Sequence, residues 1–495
     1  MTHVHLIGIG GTGLSAIARV LLESGYSVSG SDRQLSPLAQ ALQAAGARVF
    51  AGHRAENIAG AELVVRSSAV PDDNPEVIAA REAGLPVLKR ADFLGRLMDG
   101  YIGIGVAGTH GKTTTTAMLA WILVELEQDP TFIIGGVSQN LGVNARSGSG
   151  KIFLIEADEY DRMFLGLNPQ VAVVTNIEHD HPDCFPTAES FFEAFRDFAG
   201  RVLPGGLLIG CDEDPGASRL LAEAARAGIQ TRSYGSDARP AGSPTRAYTA
   251  RALSPNAKGG YSFIFTAQIK SGQNGARQEE KPVLEVPVNL QVPGRHNVLN
   301  AAAALAVIDR LGLPLDRAAR ALGEFTGVGR RFQIVGEAQG VTLIDDYAHH
   351  PTEVRATLEA ARVRYPERRI WAVWQPHTYT RTLNLLEQFA AAFEAVDRVV
   401  VTGIYAAREV PPDGMTPEVV GERAAAAIRV PQALFIQDLE QAAGYLLGKL
   451  KPGDVVLVLS AGDANTISRM IHETLSNGEQ GQPEKPGRTA EERQG

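Results

Sequence analysis

Short apolar runs recur along the chain, each followed by a turn or polar loop and then by a stretch with helical spacing. The first run, His3-Val-His-Leu-Ile7, leads into Gly8-Ile-Gly-Gly-Thr-Gly13 and a helical stretch from Leu14 to Glu23. Tyr26-Ser-Val-Ser-Gly-Ser31 ends at Asp32, and Ala47 to Phe50, Leu63 to Val65 and Leu85 to Leu88 are further short strands between helices. This alternation predicts a parallel, Rossmann-like sheet that ends near Asp99-Gly100. A second series starts at Tyr101-Ile-Gly-Ile-Gly-Val106 and continues at Lys151 to Ile155, Val171 to Thr175 and Gly206 to Ile209. Between about Ser233 and Val292 glycine, serine and proline rise and runs such as Tyr261-Ser-Phe-Ile-Phe265 suggest an antiparallel excursion, with a mobile tip expected around Lys270 to Gln278. Helix resumes over Asn297 to Leu311. A third series begins around Arg331, with strands at Val341 to Ile344, Arg369 to Trp374, Arg398 to Val401 and Asp454 to Leu459. From Asn477 onward few apolar residues remain, and a disordered tail is expected.

The pattern divides the chain into three α/β domains, residues 1–99, 100–328 and 329–476, with a tail over 477–495. A length of 495 residues exceeds what one core supports. The formal charge of −9 argues against nucleic acid as the main partner, so any anionic substrate must be met by local basic residues. Two cysteines, Cys184 and Cys211, make no disulfide framework and no metal-ligand spacing, which fits a reducing cytoplasm. Met1-Thr-His-Val-His-Leu-Ile7 runs straight into a strand, so no signal peptide is expected, and no apolar run is long enough for a membrane span.

The densest chemistry lies in Gly108-Thr-His-Gly-Lys-Thr-Thr-Thr-Thr116, between the run ending at Val106 and a helical stretch starting at Ala117. Glycines let backbone N–H groups approach phosphate oxygens, and a helix N-terminus adds positive potential. Lys112 suits the outer phosphates of a triphosphate and Thr113 a bound Mg²⁺. The longer phosphate-loop pattern needs glycine where this chain has Val106, so the loop is the shorter Gly-Thr-x-Gly-Lys-Thr form. Gly8-x-Gly-x-x-Gly13, with Asp32 further on, fits a dinucleotide fingerprint, yet any nucleotide diphosphate satisfies it equally well.

Other polar loops follow strands, the side on which open α/β sheets bind ligands. Glu156-Ala-Asp-Glu159 follows the run ending at Ile155, and Glu156, first off the strand, is the candidate Mg²⁺ ligand. Asn176-Ile-Glu-His-Asp-His181 follows the next strand and offers a site for a second ion. Asn297 either contacts a nucleotide or simply caps its helix. Arg331, the Asp345-Asp-Tyr-Ala-His-His-Pro351 loop and Gln375-Pro-His-Thr-Tyr-Thr-Arg381 are either substrate loops or plain surface.

Together these residues resemble the Mur ligase family. The resemblance runs from Met1 to about Ser476 and is carried by Gly8-Ile-Gly-Gly-Thr-Gly-Leu-Ser15, Ser67-Ser-Ala-Val70, Gly108 to Thr116, Glu156 to Glu159, His296-Asn297 and Asp345-Asp-Tyr-Ala-His-His-Pro-Thr-Glu353. It implies an N-terminal Rossmann-like UDP-binding domain, a central P-loop ATPase-type domain and a C-terminal Rossmann-like ligase domain. The implied reaction is ATP-dependent ligation of L-alanine to the carboxylate of UDP-N-acetylmuramate through an acyl phosphate, in cytoplasmic peptidoglycan precursor synthesis. The implied substrates are small molecules, the cofactors ATP and Mg²⁺, and the protein a monomer or weak homodimer. By the same resemblance Gly10, Gly11, Thr12, Gly13, Ser15, Asp32, Ser67 and Ser68 hold the UDP part of the substrate. Gly108, Thr109, His110, Gly111, Lys112, Thr113, Thr114, Asn297 and Arg331 hold ATP. Thr113, Glu156 and His181 hold metal, while His349 and Arg381 join Lys112 in catalysis. The family often has arginine where this chain has Thr378, and its Asp-Asn-Pro-Arg motif is absent here, which fits an uncharged amino acid. A peptide-adding member of the same family, an NAD(P) oxidoreductase and a non-catalytic UDP-sugar binder remain as alternatives.

Overall fold

The computed structural model describes residues 2–237, 246–268, 284–407, 409–429 and 433–480. These form two compact units that divide between Gly329 and Arg330. The first unit holds two sheets and the second holds one.

The first sheet is wholly parallel. Its strands lie in the order Arg48–Ala51, Ser27–Asp32, His3–Ile7, Leu63–Arg66 and Val87–Lys89. Reversal of strand order around His3–Ile7 puts the Gly8–Gly13 loop in the crevice where open sheets take ligands. The helix Thr12–Glu23 that follows buries Leu14, Ile17, Val20 and Leu21 against this sheet.

The second sheet has ten strands among the described residues. At its centre Ile102–Ala107 is paired in parallel with Val171–Val174 on one side and Ile152–Glu156 on the other. Beyond Val171–Val174 lie Leu207–Cys211, Thr231–Ser236 and the antiparallel set Tyr248–Pro255, Tyr261–Ala267 and Leu284–Asn289. The expected excursion is therefore an antiparallel extension of the parallel sheet, and its expected tip at Lys270 to Gln278 lies outside the described residues. Two short strands, Thr131–Ile133 and Ala145–Arg146, complete the other edge. Helices Lys112–Glu125 and Arg295–Arg310 cover one face together. Ala301 to Ile308 is fully buried, and its run of alanines lets two helices and a sheet approach closely.

The unit from Arg330 contains a six-stranded sheet in the order Gln333–Ala338, Val341–Asp346, Val455–Leu459, Ile370–Trp374, Arg398–Val401 and Ala433–Phe435. Only its first pair is antiparallel. Its last helix, Thr466–Gln480, runs past Asn477, where the tail was expected to begin. The rest of that tail lies outside the described residues. No helix among the described residues is long and apolar enough to cross a membrane.

Candidate active site

The loop after Ile102–Ala107 is built as the glycine spacing predicts. Gly108 has φ +132° and Gly111, at the N-cap of helix Lys112–Glu125, has φ +83°. Both values lie where only glycine is at ease. A Cβ on Gly108 would strike Thr175, and one on Gly111 would lie 2.5 Å from Asn300 Oδ1. The neighbouring chain grips the loop: Asn176 Oδ1 accepts from His110 N at 2.8 Å, Thr175 Oγ1 donates to His110 O at 2.6 Å, and Thr109 Oγ1 donates to Glu178 O at 2.8 Å. His110 Nε2 lies 3.0 Å from Glu178 Oε2.

Lys112 curls back over this loop. Its Nζ donates to Gly108 O at 2.6 Å, to Thr109 O at 3.1 Å and to Glu159 Oε1 at 2.9 Å. Burial alone would lower the Lys112 pKa, but the charges of Glu159, Asp158 and Glu156 outweigh it and raise it. Burial pushes Glu159 well above the ordinary carboxylate range despite the lysine beside it. Glu156 is raised by burial too, against the pull of Lys112 and of bonds from Gly135 N–H (2.6 Å) and Thr113 Oγ1 (3.0 Å). Buried Glu159 and half-buried Glu156 thus face one ammonium. An added cation would relieve both, and hydroxyl and carboxylate oxygens are the donors a hard divalent ion takes.

The structure differs here from the sequence reading. His181 was placed beside Glu156 on neighbouring strands. The strands bearing Glu156 and the Asn176–His181 loop instead flank the central strand Ile102–Ala107 from opposite sides. His181 Nε2 lies 3.8 Å from Glu159 Oε1 and 3.7 Å from Asp180 Oδ2, with its ring edge-on to Tyr160. Glu156 turns its oxygens into Thr113 and Gly135, while Glu159, 1% exposed, comes back under the lysine. Glu159 was the missed residue.

Thr114 is half-buried on the first helical turn. Asn297 is no N-cap, since Gly294 holds that position. Asn297 is buried in the first helical turn, with Nδ2 donating to Pro293 O at 2.7 Å and Oδ1 accepting from Asn300 Nδ2 at 3.0 Å. Through Asn300 it touches the Gly111 turn, an i, i+3 relay that the Asn297-Val-Leu-Asn300 spacing carries.

The first loop uses gentler means. Gly8 has φ +89°, and Ser31 O accepts from Gly8 N (2.8 Å) and Ile9 N (3.1 Å). Asp32 is half-buried at the end of strand Ser27–Asp32. Its carboxylate accepts from Gly10 N at 2.9 Å and Arg33 N at 2.7 Å, pinning the loop. Gly11 is the N-cap of helix Thr12–Glu23, and both Gly11 and Thr12 are exposed. Ser15 lies beneath the loop, buried, with its hydroxyl donating to Thr12 O at 3.1 Å. Ser67 and Ser68 follow strand Leu63–Arg66 on the same sheet edge, and Ser67 Cβ sits 3.2 Å from where a Gly8 Cβ would be.

Beneath this loop is a buried polar cluster that the sequence reading missed. Glu76 is fully buried and accepts from Ser31 Oγ and Asn57 Nδ2, each at 2.5 Å, with His53 Nδ1 at 3.3 Å and His5 Nε2 at 3.8 Å. Burial would raise its pKa, yet His5, Ser31 and Asn57 together hold it down at about 2.

In the unit from Arg330, the loop after Val341–Asp346 carries His349. Its backbone N donates to Glu353 Oε2 at 3.1 Å, and Nδ1 lies 2.9 Å from Tyr347 O. Glu353 also lies 3.5 Å from Arg331 Nη1. The His349 ring stands 5.6 Å from that of His377, whose Nδ1 is 3.0 Å from Arg381 Nη1. Arg381 is 6% exposed and Thr378 holds φ +61° at the N-cap of its short helix. Arg331, His349 and Arg381 are therefore gathered at one edge of this sheet, linked by Glu353 and His377.

Family profiles match along the chain: one described as Mur ligase family, catalytic domain, over residues 3–102, the Mur ligase middle domain over 106–308, and the Mur ligase, glutamate ligase domain over 330–462. A UDP-N-acetylmuramate–L-alanine ligase of Nitratidesulfovibrio vulgaris is 42% identical over 469 residues, 94% of this chain and 97% of that protein. The crystal structure of UDP-N-acetylmuramate-alanine ligase MurC from Thermotoga maritima superposes with a TM-score of 0.75 at 28% identity, covering 97% of this chain and all of that one. A murein peptide ligase from Psychrobacter arcticus superposes with a TM-score of 0.67 at 25% identity, over 96% and 99% of the two chains.

Proposed function

The chain belongs to the Mur ligase family, and we propose that it joins L-alanine to the carboxylate of UDP-N-acetylmuramate at the expense of ATP. The observation that carries this reading is the pairing of two phosphate-type glycine loops in one unit, only one of which holds a half-buried lysine among carboxylates. An oxidoreductase needs no such lysine, and a mere UDP-sugar binder needs no second loop.

Chemistry dictates the steps. A carboxylate is a poor electrophile. Its oxygen attacks the γ-phosphorus of ATP, the bond to the β-phosphate oxygen breaks and ADP leaves. The amine of alanine then attacks the acyl carbon of the acyl phosphate, the carbon–oxygen bond breaks, inorganic phosphate leaves and the nitrogen loses a proton. Lys112 releases its carbonyl partners to meet the γ-phosphate and stabilises the charge that builds during transfer. Asn297 and Arg331 contact ATP, while His349 and Arg381 orient the acyl phosphate and the amino acid.

Thr113 and Glu156 would hold one Mg²⁺ and His181 a second, with Glu159 added from the structure. Mg²⁺ held there would neutralise phosphate charge. The Gly8–Gly13 loop, with Ser67 and Ser68, receives the UDP moiety, and Asp32 acts by fixing the loop. The reaction belongs to peptidoglycan precursor synthesis in the cytoplasm, carried out by a monomer or weak homodimer.

The peptide-adding reading is weaker, because both the 42% identical relative and the higher TM-score fall on the alanine side. The test is direct competition between L-alanine and L-Ala-γ-D-Glu-meso-diaminopimelate at equal concentrations, with products weighed by mass spectrometry. The alanine adduct should dominate, and dominance of the tripeptide adduct would overturn the substrate assignment. Glycine should be a poorer substrate by only about 10- to 200-fold, because one methyl in a pocket yields little discrimination.

A further inference from the structure

The Gly8–Ser15 stretch contains neither lysine nor arginine, and the chain carries a formal charge of −9. A diphosphate at the N-terminus of helix Thr12–Glu23 therefore needs a cation from elsewhere. Arg66 is committed: its Nη1 donates to Val70 O at 2.9 Å and its Nη2 pairs with Asp72 at 2.9 Å. Arg90 is placed differently. It is the first residue of helix Arg90–Met98, directly after strand Val87–Lys89, on the same sheet edge as the Gly8–Gly13 loop. Its guanidinium lies so close to Gly13 that a Cβ there would collide with Nη1. Gly13 has no left-handed φ, and its missing Cβ leaves the room that the Arg90 guanidinium occupies. The side chain is 23% exposed, and Nη2 lies 3.6 Å from Asp158 Oδ2. Asp158 in turn is among the carboxylates whose charge raises Lys112.

Resting on the reading that this first loop takes the UDP substrate, we infer that Arg90 is the cation that receives the substrate diphosphate, with Asp158 positioning its guanidinium over the first turn of the helix. A planar guanidinium offers paired donors to phosphate oxygens, which the backbone N–H groups of the helix end supplement. The ion pair with Asp158 also joins the substrate loop to the acidic segment beside Lys112, so one side chain touches both halves of the chemistry in this unit.

The test uses the whole protein and two probes, UDP and uridine, titrated by calorimetry. The wild type should prefer UDP. Arg90→Ala should weaken UDP by about 10- to 100-fold, the range for losing a charge-assisted hydrogen bond, while moving uridine by less than about threefold. Arg90→Gln, which keeps the length of the side chain, should show the same selective loss, and Arg90→Lys should recover part of it. If the preference for UDP over uridine is as large in Arg90→Ala and Arg90→Gln as in the wild type, or if both probes weaken equally, Arg90 has no role toward the diphosphate. A wild type that binds neither UDP nor UDP-N-acetylmuramate would instead overturn the substrate reading itself.

Discussion

The two glycine loops of the first unit share one plan, strand then glycine turn then helix, yet differ in what lies beneath them. Under Gly8–Gly13 the buried carboxylate, Glu76, is met by Ser31 and Asn57 and held at about 2. Under Gly108–Thr113 two carboxylates, half-buried Glu156 and buried Glu159, are raised by desolvation and lean on a single lysine. The first arrangement is electrostatically settled and gives a rigid cradle. The second has negative charge still to be matched, as a site for a cation and a transferring phosphoryl group requires. A glycine turn on a helix N-terminus is thus a generic anion seat, and its buried charges decide whether it binds or reacts.

The sharpest way to break this contrast is Lys112→Ala. Ligation should fall by at least about 100- to 1,000-fold, because the lysine acts on charge that develops in the transition state. Phosphate release with UDP-N-acetylmuramate, ATP and L-alanine reads it, and near wild-type turnover would remove the distinction between the loops.

Next in size is the acid response of the first loop. Because the folded-state pKa of Glu76 is lowered from the ordinary 4.5 to about 2, its contribution is present above pH 4.5 and lost as pH falls from there through about 2. The lowering is worth ~3 kcal/mol at most. Glu76→Gln should lower the urea midpoint at pH 7 and flatten its dependence on pH between about 4.5 and 2. An unchanged acid profile would mean that Glu76 carries no settled charge.

Asp32→Ala, which removes the tie between Gly10 N and Arg33 N, should raise the KM for the UDP substrate by about 10-fold, the scale of a lost bond to a charged group. The KM for ATP should hold, and no NADH binding should be seen in either protein. Saturable NADH binding competed by UDP-N-acetylmuramate would revive the oxidoreductase reading. The smallest effect is expected at His181, since its nearest acid is Glu159 at 3.8 Å. His181→Ala should shift the Mg²⁺ requirement several-fold, more than the KM for ATP, and an unchanged Mg²⁺ dependence would make this histidine structural.

Much of this molecule was legible before any coordinates. Runs such as Ile102–Ala107 and Val455–Leu459 are long, apolar and bounded by glycine or charge, so their strands and the loops at their ends could be read. Thr131–Ile133 is buried but only three residues long, while Ala145–Arg146, Gln333–Ala338 and Ala433–Phe435 lie at sheet edges, where partial exposure leaves no continuous apolar run to detect. The acids after Ile155 were seen as a group. Which one returns to Lys112 depends on backbone turns, with Asp161 and Arg162 at φ +53° and +52°. No spacing rule gives that. Glu76 was hidden because Asn74-Pro75-Glu76 reads as an ordinary capped helix start, and Asn74 does cap it. The available signal was His5, a polar residue in the strand His3–Ile7, which is buried, bonds Ser29 at 2.8 Å and lies 3.8 Å from Glu76. Arg90 was passed over for the same reason, as a helix start after a strand.

The division of labour between the loops is tested most directly by titrating UDP-N-acetylmuramate into Lys112→Ala in a calorimeter, without ATP. The account predicts a dissociation constant within about threefold of the wild type, under 1 kcal/mol, even though that variant no longer ligates. A loss of binding as large as the loss of turnover would contradict it, because the two loops would then be one site.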